Sequence, residues 1–193
     1  IRVDANAAWD VETAVLAVAR LNRAAGGLEY VEQPCRTLEE LREVRRRVPV
    51  PVAADESVRT AEDPLAIAGL DAADLIVVKV QPLGGVQRAL EVIGHAGLPA
   101  VVSSALETSV GLAAGVALAA ALPELPYACG LGTATLLTSD VTDRPLTPRD
   151  GQVEVRRVAP SSALLDQHAP EPDEAGELLE RLGLAAAHLD EGS

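Results

Sequence analysis

Lysine is nearly missing from this chain. Lys79 is the only one in 193 residues, and every other basic side chain among the 16 is an arginine. Arginine is therefore the ordinary surface cation, which leaves the single ammonium open to a specific task. The alternative is a strand-end lysine reaching water along its aliphatic stem. Aromatic residues are also scarce, with no Phe, one Trp and two Tyr, so the core must be built from Ala, Val and Leu. Cys35 and Cys129 are the only cysteines, too few for a disulfide framework and too far apart for a zinc-knuckle spacing. Positive charge is short: 29 acidic residues give a net charge of -13. With no basic stripe, nucleic acid is not an expected partner. No Gly-x-Gly-x-x-Gly follows the first strand and no Gly-Lys-Ser/Thr loop occurs, so nucleotide-binding folds lose their best support. The Ala-rich stretch from Gly111 to Leu122 is too short to span a bilayer and runs into Pro123. No signal peptide opens the chain, so a cytoplasmic location with no membrane partner is expected. Ile1 is not an initiator methionine and the first residues already read as strand, so further chain is expected upstream.

What is present begins with Leu75-Ile76-Val77-Val78-Lys79. A run of aliphatic, mostly β-branched residues reads as a strand buried on both faces, with Lys79 at its C-terminal edge before a Pro82-Leu83-Gly84-Gly85 turn. The same grammar recurs along the chain. Strands are expected at 1–3, 28–32, 52–54, 75–79, 98–102 and 127–129. Helices follow over 11–24, 37–48, from Thr60 to about Gly69, then 86–96 and 107–122. Asp10 is placed to cap the first helix, Thr37 and Glu40 to form a capping box on the second, and Thr60 with Asp63 to start the third ahead of Pro64. Strand ends fall at Asp4, Glu32, Asp55, Lys79 and Ser103, at the pace of βα units in a barrel or a doubly wound sheet. Six strands are two short of a closed barrel. Past Gly130-Leu131-Gly132, Gln152–Val158 reads as an edge strand, and Asp173 can cap a helix running to about Leu189, expected to pack on the body, with a solvated terminal helix as the alternative. The division is residues 1–133 as barrel and 134–193 as a C-terminal extension with an edge strand and terminal helix.

Asp4, Glu32 and Asp55 would stand together on one sheet edge and repel unless a cation held them. Oxygen-only donors suit a hard divalent ion, Mg²⁺ before Mn²⁺. None is required as a helix cap, since Asp10, Thr37 and Thr60 fill those positions. Such a set supports proton abstraction beside a carboxylate: metal and cationic neighbours stabilise a developing enediolate, and an amine removes or returns the proton. Lys79 could be that amine if its pKa is depressed, or could stabilise charge if it stays protonated.

Asp4-Ala5-Asn6, Glu32-Gln33-Pro34, Asp55-Glu56-Ser57 and Val78-Lys79 resemble the successive strand-end motifs of the enolase superfamily barrel. Val31–Cys35, Lys79–Gly85, Ser103–Thr108 and Gly130–Thr133 are similar in finer detail to its o-succinylbenzoate synthase branch, in the actinobacterial form. The resemblance, over residues 1 to about 160, implies an α/β fold, a partial TIM-type (β/α)7β barrel. It implies Mg²⁺ on Asp4, Glu32 and Asp55, with Asn6 and Glu56 beside the site, Lys79 next to the substrate, and Ser103, Ser104, Gly130 and Gly132 lining the pocket. The implied reaction is syn elimination of water from 2-succinyl-6-hydroxy-2,4-cyclohexadiene-1-carboxylate, a small dicarboxylate, to give o-succinylbenzoate for menaquinone synthesis. The family also carries a Lys-x-Lys pair on the second barrel strand and an N-terminal α+β cap. Here the first strand corresponds to the third of the family, so these parts are expected from an upstream segment or a complementary chain. Two other readings stand beside the lyase: a racemase or epimerase of N-acyl amino acids or dipeptides, and a barrel fragment without turnover.

Overall fold

The computed structural model describes residues 1–60 and 65–190. Five strands, β1 (Arg2–Asp4), β2 (Tyr30–Glu32), β3 (Val52–Ala54), β4 (Leu75–Lys79) and β5 (Ala100–Ser103), form one parallel sheet in the order β1-β2-β3-β4-β5. A doubly wound sheet reverses its strand order partway. This one never does, and it curls through 194°, half of a barrel.

Side-chain alternation along each strand separates two faces. Tyr30, Ala53, Leu75, Val77 and Val101 form a small inner cluster, whereas Val31, Val52, Ala54, Ile76, Val78, Ala100 and Val102 join the large core under the helices. Burial on both faces is why β4 reads as an unbroken apolar run. Inside the curl, Tyr30 meets Tyr127 edge to face at 5.7 Å. Arg2 lies 4.8 Å over the Tyr30 ring and donates to the Ala128 carbonyl at 2.7 Å, spanning the interior.

The helices begin where capping chemistry places them. In α1 (Val11–Ala25), Asp10 accepts from Thr13 N, and the chain leaves through left-handed Gly26. In α2 (Leu38–Arg47) both halves of the Thr37/Glu40 capping box are made. Arg47 of α2 grips Glu12 of α1 with two bonds of 2.6 and 2.9 Å. After β3, however, helix α3 (Glu56–Thr60) starts directly behind Asp55, which puts Thr60 inside a helix and not at its cap. The expected Asp63 cap partner and Pro64 lie outside the described residues, and α4 (Leu65–Gly69) follows. Helices α5 (Val86–Ala96) and α6 (Ser109–Ala121) complete the outer layer, α4 packing on α5 and α5 on α6.

Three expectations at the C-terminal end need correction. Tyr127–Cys129 is not a strand: the segment meets β5 through one isolated bridge, Gly130 to Ser103. Pro126 has no N–H to give a ladder, and Arg2 occupies the Ala128 carbonyl. Nor is Gln152–Val158 an edge strand, since its only β contact is an isolated bridge from Gln152 back to Arg149. The segment instead lies beside Ala113, Ala114 and Ala117 of α6, and a helix has no free backbone groups for a strand to pair with. An unforeseen short helix, α7 (Ser162–Gln167), precedes α8 (Pro172–Asp190), which starts one residue before Asp173. Of the two readings of the terminal helix, the solvated one fits α8, and the packed one does not: Leu178, Leu179, Leu182 and Leu184 remain exposed among the described residues. Among the described residues, no helix is long and apolar enough to cross a membrane.

Candidate active site

Two further steps along each inner-face strand lead out of the apolar cluster to its polar rim. From Arg2, Tyr30, Ala53, Val77 and Val101 the same alternation reaches Asp4, Glu32, Asp55, Lys79 and Ser103. Register agrees with this placement: Asp4 pairs with Glu32, Glu32 with Ala53, and Lys79 with Ser103. The aliphatic strand interiors thus carry their polar ends to one edge of the sheet, and the sequence-predicted acids and lysine share it.

The environments of these groups differ. Asp4 is exposed, and its carboxylate accepts from Asn6 N at 2.8 Å and Asn6 Nδ2 at 3.0 Å, a tight turn in which Asn6 and Ala7 have positive φ. Glu32 is half-buried. Burial together with repulsion from Asp4 and Asp55 pushes its carboxyl up to about 7, with Lys79 pulling the other way. Asp55 is fully buried. Its Oδ2 accepts from Lys79 Nζ, while Oδ1 has no hydrogen-bond partner among the described residues and lies 3.6 Å from Arg59 Nε. Glu56 faces Arg59 at 3.2 Å.

Among the described residues, no three His, Cys, Asp or Glu side chains converge closely enough to count as a metal-holding group. Asp4 is turned to Asn6 and Asp55 to Lys79. The donor set nevertheless has the chemistry a hard cation needs: three oxygen acids on one rim, with Asp4 and Asp55 helping to raise the proton affinity of Glu32, and a buried Asp55 oxygen atom still lacking a donor among the described residues.

The remaining predicted positions surround the β5 end. Ser103 Oγ approaches the Gly130 carbonyl at 3.4 Å, and Ser104 Oγ lies 2.9 Å from both that carbonyl and Thr133 Oγ1. Thr133 in turn donates to Ala105 O at 2.8 Å. Ser104 is thus occupied in fastening the 130–133 turn to β5. Glycine at 130 allows a close approach, because a Cβ there would sit 2.6 Å from Ser103 Oγ and force that side chain to shift. Gly132 accepts from Thr135 Oγ1 at 2.7 Å as a short 3₁₀ turn (Thr133–Leu136) begins.

Sequence reasoning missed two residues here. Arg59 becomes a neighbour of Asp55 only once a helix begins at Glu56 and sets them one turn apart. Gln33 belongs to a strand-end motif in the sequence, yet directly after β2 it is fully buried, with its side chain bonded to Asp55 N and Ser57 Oγ just past β3. The clue available was an amide wedged between a strand-end acid and a proline.

A family profile described as "Enolase C-terminal domain-like" matches residues 1–160. The o-succinylbenzoate synthase of Thermobifida fusca is 62% identical over 172 residues, 89% of this chain and 54% of that protein. The o-succinylbenzoate synthase of Mycobacterium tuberculosis is 55% identical over 165 residues, 86% of this chain and 50% of its own. Among solved structures, the L-Ala-D/L-Glu epimerase from Bacillus subtilis is 28% identical with a TM-score of 0.73, covering 83% of this chain and 45% of that one. The 2-chloromuconate cycloisomerase from Rhodococcus opacus 1CP is 27% identical with a TM-score of 0.81, covering 88% of this chain and 48% of that one. The chain spans about half the length of the curated relatives it matches.

Proposed function

Because this chain belongs to the enolase C-terminal domain-like family, we propose that it is the acid-bearing part of an o-succinylbenzoate synthase. The observation that carries this reading is the shared rim of Asp4, Glu32, Asp55 and Lys79 in a chain 62% identical to a synthase of that name. The reaction is loss of water from 2-succinyl-6-hydroxy-2,4-cyclohexadiene-1-carboxylate, which requires a proton to leave the carbon bearing the carboxylate.

Asp4, Glu32 and Asp55 would hold Mg²⁺, or Mn²⁺ in its place, with Asn6 and Glu56 as neighbours. The ion supplies positive charge beside the substrate carboxylate. Lys79, its side chain 15% exposed in a rim of acids, is the group of this chain suited to steady developing negative charge or to carry a proton at the reacting carbon. Ser103 and the backbone at Gly130 and Gly132 border the same rim and would seat the substrate's ring and second carboxylate. The second acid–base lysine of the family would come from upstream.

The solved epimerase with a TM-score of 0.73 favours one alternative on the same scaffold, in which a proton is removed and returned with no water lost. Steady-state dehydration by the full-length protein, with N-acyl amino acid racemisation run beside it, separates the two. Dehydration much faster than racemisation is expected; the reverse ranking would transfer the assignment to the epimerase reading.

A further inference from the structure

We propose that Gln33 is a positioning residue that sets where Asp55 stands relative to Glu32; this rests on the reading of these acids as the divalent-cation site. Strand pairing alone does not place Asp55. The β2–β3 register ends at Glu32 with Ala53, and β3 itself ends at Ala54, so Asp55 lies beyond the ladder at the entry to α3.

Gln33 carries the connection past that point. Its backbone N–H donates to Ala53 O at 2.8 Å. Its side-chain Oε1 accepts from Asp55 N at 2.9 Å and Ser57 N at 3.2 Å, and Nε2 donates to Ser57 Oγ at 2.8 Å and Cys35 O at 2.9 Å. Two lone pairs and two hydrogens are all that a carboxamide offers, and each is used. The amide has one workable orientation, since two backbone N–H groups must face the oxygen. Gln33 itself sits at φ 35, in the left-handed region that a non-glycine residue enters only when its surroundings hold it there.

Glu32 at the end of β2 and Asp55 just past the end of β3 are thus tied by one buried side chain. Glutamate at this position would lose both donor bonds and add another negative charge beside the acids of the rim. Methionine would fill the volume and lose all four bonds. Groups that orient metal ligands in this way are typically worth about 10- to 100-fold in metal affinity.

The test is Mg²⁺ titration by calorimetry on the full-length protein and its Gln33→Met, Gln33→Glu and Ser57→Ala variants, with melting temperatures measured alongside. Gln33→Met and Gln33→Glu are expected to weaken Mg²⁺ at least about 10-fold, and excess Mg²⁺ should restore most of the kcat of Gln33→Met. Ser57→Ala, which removes one of the four bonds, should fold normally and weaken Mg²⁺ by a smaller but measurable factor; it decides the matter if the Gln33 variants fail to fold. Lower melting temperature with parental Mg²⁺ affinity would reduce Gln33 to a structural role and overturn the proposal, while the cation site stood. A parent protein that binds no Mg²⁺ would overturn both.

Discussion

Asp55 is the residue on which most of the rim chemistry meets. It is buried, bonded to Lys79, within 3.6 Å of Arg59, and close enough to Glu32 to raise its proton affinity. Removing its charge while keeping its shape should therefore cost cation binding more than folding. Asp55→Asn in the full-length protein is expected to weaken Mg²⁺ by at least about 10-fold, measured calorimetrically; unchanged binding would take Asp55 out of the ligand set. Glu32 gives a pH prediction. Its carboxyl holds a proton to about 7 in the folded chain against 4.5 ordinarily. The folded state then binds more protons than the unfolded one across that window, so stability falls as pH rises from 4.5 to 7 and levels off above it. Melting curves at pH 5 to 8 without divalent ions should show this decline, and Glu32→Gln should flatten it; a parental decline in Glu32→Gln would assign it elsewhere. The acids and Lys79 were legible in the sequence because each follows an aliphatic strand. Gln33 and Arg59 were not, because their roles depend on side-chain reach and on where one helix starts.

The strands that place the rim could be read closely where an unbroken apolar run ended at polar or turn residues, as at Val52–Ala54 and Leu75–Lys79. The capping box at Thr37 was equally plain, since local hydrogen bonds decide it. Reading failed where tertiary contacts overrode local pattern. Gln152–Val158 alternates like a strand but meets a helix face, and Tyr127–Cys129 keeps a single bridge to the sheet. Tight contact at that bridge yields a prediction. Gly130→Ala would set a Cβ 2.6 Å from Ser103 Oγ, and overpacking of this kind costs about 1–3 kcal/mol. Ser103→Ala in the same chain should recover part of the loss by removing the clashing hydroxyl. Chemical denaturation of the single and double variants checks it, and a fully additive result would mean the clash is not the cause.

As a whole, the described chain is a curved sheet with its helices outside and a row of acids, a lysine and a serine along one inner rim. β1 pairs only with β2, so one edge of the sheet has open backbone groups; such edges invite pairing between chains. Residues 1–193 expressed alone are expected to self-associate in sedimentation experiments, and a monomer that unfolds cooperatively would contradict this. The central claim is that this rim performs proton chemistry with Lys79 as its working cation. Its most direct test is the dehydration kcat of full-length Lys79→Ala and Lys79→Arg beside their Mg²⁺ affinity. The account predicts that Lys79→Ala still binds Mg²⁺ yet turns over at least about 10²-fold more slowly, with Lys79→Arg only partly restored because a planar guanidinium cannot replace a compact ammonium. Near-parental turnover in Lys79→Ala would contradict it.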